Sequence, residues 1–592
     1  MDLNSLVSSS IADTLGSLLP FAPELVLAAW VLGLLLVRLL PYGEKIDAGY
    51  LTILGAGIAL AFAGPWALPA SDKGAELFGG MLVFDSFTIG VRAILLVFTI
   101  LFVIFTKISG TPPKEAGTDF YCLIIGAVLG MCLMVSANHL LMVFLAVEMA
   151  SVPSYALAGI MRGQRPASEA ALKYSIYGAG AAGVMLYGIS LLAGLVNTVH
   201  LPSIALALSS SVGEMSHSEH LVLILAGLMI GVGLAFKLSA VPFHFWCPDI
   251  FEGATAEIGA FLSIASKAAA LALLVRVCFG IGMVGPERIT AADLPKPVIE
   301  QPADSEAEDE ATVAQADTSA GLFLVEDEVG THADAAHAEA AHGDAALAAT
   351  DVDPLTPVRS FMGVLIAVLA GITCTFGNLA AYAQTNIKRL LAYSTIAHAG
   401  YMLMPVPAAL AVATTHPDSA RDAISAIVLY VSIYMFMNLG AFACVAFLRN
   451  SMGTELIDDY GGLIKRAPFL VVCFALIMFS LVGLPPLAGF IGKFALFASL
   501  ADAYNATGQT HLIVLLVVGG INTAISLFYY LRVVKVMTID PESDALSKHT
   551  DRLVGPVGLG YIGLVTIPVA LLIVNWNQLA TWTSNAAAQL FG

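Results

Sequence analysis

Apolar residues run through this chain in long blocks, separated by shorter polar stretches rich in Gly, Pro and charge. A helix needs about 20 apolar residues to cross the hydrocarbon core of a bilayer. On that scale the blocks predict crossings near 20–41, 50–69, 81–106, 118–137, 139–160, 171–195, 221–245 and 256–282. A second series is expected near 359–383, 388–410, 423–448, 468–500, 511–537 and 556–578. The expected fold is therefore an all-α membrane protein of about fourteen transmembrane helices.

One long polar stretch interrupts the pattern. Between Pro286 and Pro357 there are 17 Asp and Glu against only Arg288 and Lys296, with much Ala and Pro. Such a composition cannot bury enough apolar surface to offset its ordering entropy, so 286–357 reads as an acidic low-complexity insertion between the eighth and ninth crossings. His332, His337 and His342 recur every five residues, a spacing that drifts around a helix, so they read as solvated sequence and not as a metal site.

Composition places the remainder in a bilayer. The 592 residues are 58% hydrophobic and only 12% charged, with a mean hydropathy of +0.85, whereas soluble chains are about a quarter charged. No basic residue precedes the first apolar block, so no cleaved leader is expected. With the N-terminus outside, sixteen Lys and Arg fall in inner loops and five in outer loops. The positive-inside rule then puts Arg389 and Lys465 inside, and both termini and residues 286–357 outside. Six of the seven cysteines lie inside apolar blocks, Cys247 sits beside a proline, and there is no CxxC. No disulfide, iron–sulfur cluster or zinc site is expected.

Against this background the charges at mid-span stand out, because each costs at least a few kcal/mol in the bilayer centre. Glu148, Lys237, Lys267, His398 and Lys493 fall near the middle of their blocks. Snorkelling, where a long side chain reaches the interface, accounts for Arg92 and Arg276 near span ends. It does not serve Glu148, which is too short. A hydrogen-bonded core histidine is the plain alternative for His398. Lys237 precedes Pro242 in FKLSAVPFHFWCPD, and Lys493 follows Pro485 and Pro486 in GLPPLAGFIGK. A mid-span proline frees backbone carbonyls, which is tolerated where the helix is buried or lines a cavity. Crossings seven and twelve are thus expected to be broken helices, a feature of transporters; a simple proline kink is the alternative. Five crossings separate them, and the lysine–proline order is reversed. That predicts two inverted five-helix repeats, crossings 4–8 and 9–13. The domain reading is 1–117, 118–285, the insertion 286–357, 358–540 and 541–592.

Six stretches resemble the antiporter-like membrane subunits of respiratory complex I (NADH:quinone oxidoreductase). They are FLAVEMASVPSYALAG (144–159), LAFKLSAVPFHFWCPDIFEGA (234–254), SKAAALALLVR (266–276), QTNIKRLLAYSTIAHAGYML (384–403), YMFMNLGAFA (434–443) and GLPPLAGFIGKF (483–494). They keep the family's order over roughly residues 80–540. The lysine at 493, and a chain that stops after the fourteenth block, resemble the N-type subunit, the counterpart of mitochondrial subunit 2. The acidic insertion departs from the family's pattern. The resemblance implies that Glu148, Lys237, Lys267 and Lys493 match the family's proton-transfer residues; on their own chemistry, Lys267 and His398 could pass protons laterally between them. It implies a role in proton translocation driven by quinone reduction elsewhere in the assembly. NADH, FMN, iron–sulfur clusters and quinone would be held by partner subunits, among them neighbouring antiporter-like subunits, in a bacterial inner membrane. No cofactor is expected in this chain, and nucleic acid is not an expected partner; membrane lipids are.

The residues themselves are consistent with that role. Desolvation disfavours a charged ammonium and a nearby carboxylate favours it, so making or breaking a Glu148–Lys237 pair would switch proton occupancy. Two rival readings share much of the evidence. A subunit of a multisubunit cation/proton antiporter would have the same fold and lysines. A structural membrane scaffold would have no use for five ionisable groups at mid-depth.

Overall fold

The computed structural model describes residues 3–40, 46–64, 74–112, 116–161, 163–285, 288–290, 353–547, 553–572, 574 and 576–591. Most of the acidic insertion, including His332, His337 and His342, lies outside the described residues. Helices follow the apolar blocks. The chain opens with α1 (Leu3–Ser17), α2 (Ala22–Leu39), α3 (Ala48–Ala63), α4 (Ser86–Ser109), α5 (Gly117–Ser136), α6 (Leu140–Ala158) and α7 (Arg165–Val196). A short α8 (Leu201–Ser211) leads to α9 (His217–Leu238), α10 (Trp246–Gly253) and α11 (Ala256–Gly282). After the insertion come α12 (Thr356–Ala381), α13 (Ile387–Leu403), α14 (Pro405–Val412), α15 (Pro417–Met452), α16 (Pro468–Val482), α17 (Ala488–Thr507) and α18 (Thr510–Thr538). The chain closes with α19 (Asp544–Ser547), α20 (Pro556–Leu571) and α21 (Trp576–Ala587).

Among the described residues, eleven helices are long and apolar enough to cross a membrane, or twelve if α20 and the segment from Trp576, which meet at 87°, form one crossing. The molecule is a helical membrane protein. Where the elements differ from the apolar blocks, local chemistry accounts for it. Crossing seven ends early because Ser239 is left-handed (φ 57°), and the chain turns through Pro242 before α10. Crossing twelve is two helices, interrupted where Gly483 has φ 92° and the two prolines follow. Crossing ten divides into α13 and α14 at Pro405, whose missing N–H cannot continue the ladder.

The fold is not purely helical. β1 (Ala75–Leu77), β2 (Leu82–Phe84) and β3 (Ile289–Thr290) form one small sheet in the order β2-β1-β3, antiparallel then parallel. Strands of two or three residues are too short for an alternation to show in sequence. The helices α11, α13 and α15 make up the interior. α11 is buried along nearly its whole length, and the small residues Gly259, Ala260, Ala265 and Ala268–Ala270 let its neighbours close around it. It carries Lys267 and Arg276. Because α11 has no lipid-facing side, any polar group on it must find a protein partner.

Candidate functional site

The interior holds two lysine centres, one at each helix break, with a buried polar line between them. In the first, Lys237 lies on the last turn of α9 and is 3% exposed. The broken end is held by specific bonds. Trp246 Nε1 donates to Phe236 O at 3.0 Å, and Val241 N donates to Thr373 Oγ1 at 2.9 Å. Trp246 stacks on Tyr174 with ring centroids 4.6 Å apart. The last carbonyls of a helix carry partial negative charge, which favours an ammonium there. Glu148 stands on α6 beside Ser151, and the charge of Lys237 acts on it. None of the ion pairs among the described residues joins Glu148 to Lys237. Nor is Glu148 fully enclosed by its own chain; it is half-buried, next to the exposed Leu145, Met149 and Val152.

Lys267 occupies the centre, and its Nζ donates to Thr395 O of α13 at 3.1 Å. The Cys247 thiol is fully buried, 4.0 Å from Ala392 O of α13, and acts electrostatically on Lys267. One turn further along α13, His398 has both ring nitrogens occupied. Nδ1 lies 2.6 Å from Tyr430 Oη, and Nε2 lies 3.1 Å from Tyr530 Oη, which in turn bonds Ser394. Neutral imidazole donates at one nitrogen and accepts at the other, so the two phenols must serve opposite roles. A proton shift across the ring requires both to reorient.

In the second centre Lys493, on α17, folds back across the break. Its Nζ donates to Val482 O, the last residue of α16, at 2.9 Å, and sits 4.4 Å from the Tyr401 ring centroid. Cation–π contact and a helix-end carbonyl together satisfy the ammonium. The charges of Lys493 and Lys267 both bear on His398. Beyond Tyr401 the polar contacts continue to α12 and α18. Thr523 Oγ1 donates to Tyr401 Oη (3.3 Å), Tyr529 Oη donates to Asn378 Oδ1 (3.0 Å), and Asn378 Nδ2 donates to Asn522 Oδ1 (3.2 Å).

The tyrosines were not singled out from the sequence, although a signal existed. Tyr430, Tyr434, Tyr529 and Tyr530 fall within their blocks instead of at the interfaces where membrane aromatics collect. Arg92 and Arg276 are a correction. Neither snorkels. Arg92 is buried against Glu24 of α2 at 3.0 Å, and Arg276 makes two 2.5 Å bonds to Asp85 and a third to Val135 O. Their partners lie far away in sequence and at the starts of helices, where a block-by-block reading does not pair them.

Each face carries its own polar cluster. On one, Asp249 and Glu252 of α10 meet Lys173 (2.9 Å to Asp249) and Arg389 (2.5 Å to Glu252), while Lys388 donates to Glu252 O and Ala254 O. These bonds tie the segment after the first break to the start of α13. On the other, Glu76 of β1 accepts from Asn138 Nδ2 (3.1 Å) and lies 3.2 Å from His200 Nε2, and Arg288 donates to Asn138 Oδ1 (3.0 Å). The His200 hydrogen bond, with the charges of His200 and Arg288, holds the Glu76 carboxyl below its ordinary value of 4.5 against the opposing effect of burial. Among the described residues no group of three or more His, Cys, Asp or Glu is placed to hold a metal ion.

Lysines at two helix breaks, with a further lysine and a histidine buried in the same helical body, fit a membrane protein of the antiporter-like class. The family model described as "NADH:quinone oxidoreductase/Mrp antiporter, TM" matches residues 137–287 and 344–525, and the chain belongs to this family. A relative from Anaeromyxobacter sp., named NADH-quinone oxidoreductase subunit N, is 35% identical over 98% of each chain. A chain of respiratory complex I from Thermus thermophilus superposes with a TM-score of 0.64 at 27% identity, covering 94% of this chain and 98% of that one. A chain of the Mrp complex from a Dietzia species reaches a TM-score of 0.69 at 17% identity, over 98% and 97% of the two chains, and shares the fold.

Proposed function

We propose that this chain is the N-type, proton-translocating membrane subunit of an NADH:quinone oxidoreductase, and that Glu148, Lys237, Lys267, His398 and Lys493 carry the protons. The observation that bears most weight is the polar line from the first break to the second: Lys237, Cys247, Lys267, the Thr395 carbonyl, His398 with its phenols, and Lys493. Isolated buried charges would need only a neutralising partner; several titratable groups buried together, with a carbonyl and phenols to hydrogen-bond them, support a role in proton transfer. Glu148, half-buried on α6, is where a neighbouring subunit would complete the carboxylate's surroundings. Redox cofactors belong to the partner subunits in this reading, and this chain contributes proton transfer alone.

The finer layout follows the same reading. Eleven long helices, the bent α20–α21 crossing, the shorter α3 and the broken α16–α17 crossing together give fourteen. Crossings 4–8 and 9–13 form the inverted repeats. The basic Lys173, Lys388 and Arg389 face the cytoplasm of a bacterial cell, and 286–357 and both termini face outward. Single cysteines placed in 291–352 should react with a membrane-impermeant thiol reagent in intact cells; reaction only in inverted vesicles would reverse the orientation.

The proton role has a direct test. Guanidinium does not release its proton in proteins, so Lys237→Arg should assemble yet pump poorly in reconstituted vesicles, with uptake normalised to assembled complex. Full pumping by that variant would sink the role given to Lys237. The second reading, a subunit of a cation/proton antiporter, draws on the fold shared with the Mrp chain. Co-purification separates the two: a large assembly that oxidises NADH, or a smaller one that does not.

A further inference from the structure

Asn438 of α15 is completely buried, and its neighbours fix which way its amide is turned. Ser263 Oγ of α11 donates its single proton to Ala260 O at 2.9 Å, so towards Asn438 it can only accept. Nδ2 of Asn438 therefore faces Ser263 Oγ, 2.7 Å away, and directs its other N–H to Tyr434 Oη at 2.9 Å. Oδ1 is left buried with no hydrogen-bond partner among the described residues. A buried acceptor without a donor is destabilising, so this one calls for a donor. Lys267 has the opposite surplus: an ammonium carries three N–H groups, and Thr395 O is the one hydrogen-bond acceptor it meets among the described residues.

The two residues belong to one ring of contacts. Lys267 and Ser263 stand one turn apart on α11, Ser263 bonds Asn438, and Asn438 bonds Tyr434. The ring closes at Thr395, whose side chain hydrogen-bonds the Tyr434 phenol and whose carbonyl takes the Lys267 bond. Helical side chains lean back over the turn before their own Cα, which carries the Lys267 stem towards the Ser263 turn. We propose that Asn438 Oδ1 is a second acceptor for the Lys267 ammonium, which makes Asn438 a positioning residue for that lysine. The inference rests on the proton role proposed for Lys267. On Thr395 O the ammonium lies against α13, the helix of His398; on Asn438 Oδ1 it lies against α15, towards the preceding turn of α11. Both acceptors are neutral, so the ammonium can exchange between them without either one fixing its charge. A carboxylate would hold the proton; an amide oxygen offers lone pairs without that charge. A plain polar bond joining α11 to α15 would use Nδ2 alone and give Oδ1 no part.

Proton uptake by reconstituted vesicles, followed across a pH series and normalised to assembled complex, tests this. Asn438→Asp keeps the size of the side chain but sets a charge beside the ammonium, which favours its protonated form. Release then needs a higher pH, and the optimum of uptake should move up by about one pH unit, the low end of the range an adjacent opposite charge produces. At the original optimum this is a fall of about tenfold. Asn438→Leu removes the acceptor and should lower uptake several-fold with the optimum in place. An optimum that stays put in Asn438→Asp would overturn the proposal, because a bond that merely joins two helices does not set where a lysine titrates. Full uptake by Asn438→Leu would overturn it as well. If Asn438→Leu does not assemble, the Asp variant decides alone. Lys267→Gln separates the inference from its foundation. Normal uptake by Lys267→Gln would defeat the proton role of Lys267 itself. Lost uptake there, with both Asn438 variants indistinguishable from the unsubstituted protein, would defeat the second acceptor only.

Discussion

The two lysine centres solve the same problem with opposite chain directions. Lys237 sits on the helix that ends at the break, and Lys493 on the helix that begins after it. Both breaks follow a helix C-terminus: Lys237 is a residue of the final turn of α9, and Lys493 Nζ bonds Val482 O at the end of α16. Their other surroundings diverge. The first has a carboxylate within electrostatic reach, Glu148, on a face its own chain leaves half open. Among the described residues the second is paired with no acid and has instead a wall of buried aromatic rings and phenols.

The largest effect should come from treating the two as one path. Lys237→Ala and Lys493→Ala should each reduce proton uptake by at least about tenfold, an added barrier of about 1.4 kcal/mol. If the centres act in series, the double variant should be no worse than the weaker single one. Multiplying losses, measured per assembled complex, would show two independent paths. Next in size, Glu148→Ala should reduce uptake severalfold and Glu148→Asp much less, because the shorter acid keeps its charge; equal effects would detach Glu148 from Lys237. A smaller loss is expected from Tyr430→Phe or Tyr530→Phe, each of which removes one partner of the His398 ring. A net buried hydrogen bond is worth about 1 kcal/mol, so uptake should fall a few-fold with assembly intact. Unchanged uptake in both would make the phenols mere packing.

The smallest effect concerns pH. The folded protein holds Glu76 below its ordinary value of 4.5, so the carboxylate adds stability that is fully present above that value. This stability is lost as pH falls through the lower, folded value. Glu76→Gln should abolish that part of the acid dependence and leave stability near pH 7 modestly reduced, as followed by thermal unfolding in detergent at pH 3.5 and 7.

Much of this comparison was legible in the sequence. Lys237, Lys493 and the prolines beside them are local: a charge and a helix breaker within an apolar block report on themselves. What could not be read was relational. Arg92 with Glu24, and Arg276 with Asp85, look like span-end cations until the fold brings acids from distant helices to them. The phenols around His398 come from α15 and α18, and only the packing of those helices on α13 reveals them. The small sheet escaped because hydropathy carries no trace of a two-residue strand.

That sheet has an engineering consequence. β3 pairs with β1, Arg288 bonds Asn138, and on the far side of the insertion Arg359 bonds both Asp353 and Gly282 O at the end of α11. Both stems of the 291–352 segment are therefore fastened to the helical body before that segment contributes anything. Once the ends are fixed, closing a longer segment costs only about 0.6 kcal/mol for each doubling of its length. The position is thus a socket: an affinity tag, a fluorescent domain or a much shorter linker spliced between the two anchors is expected to leave the helices assembled.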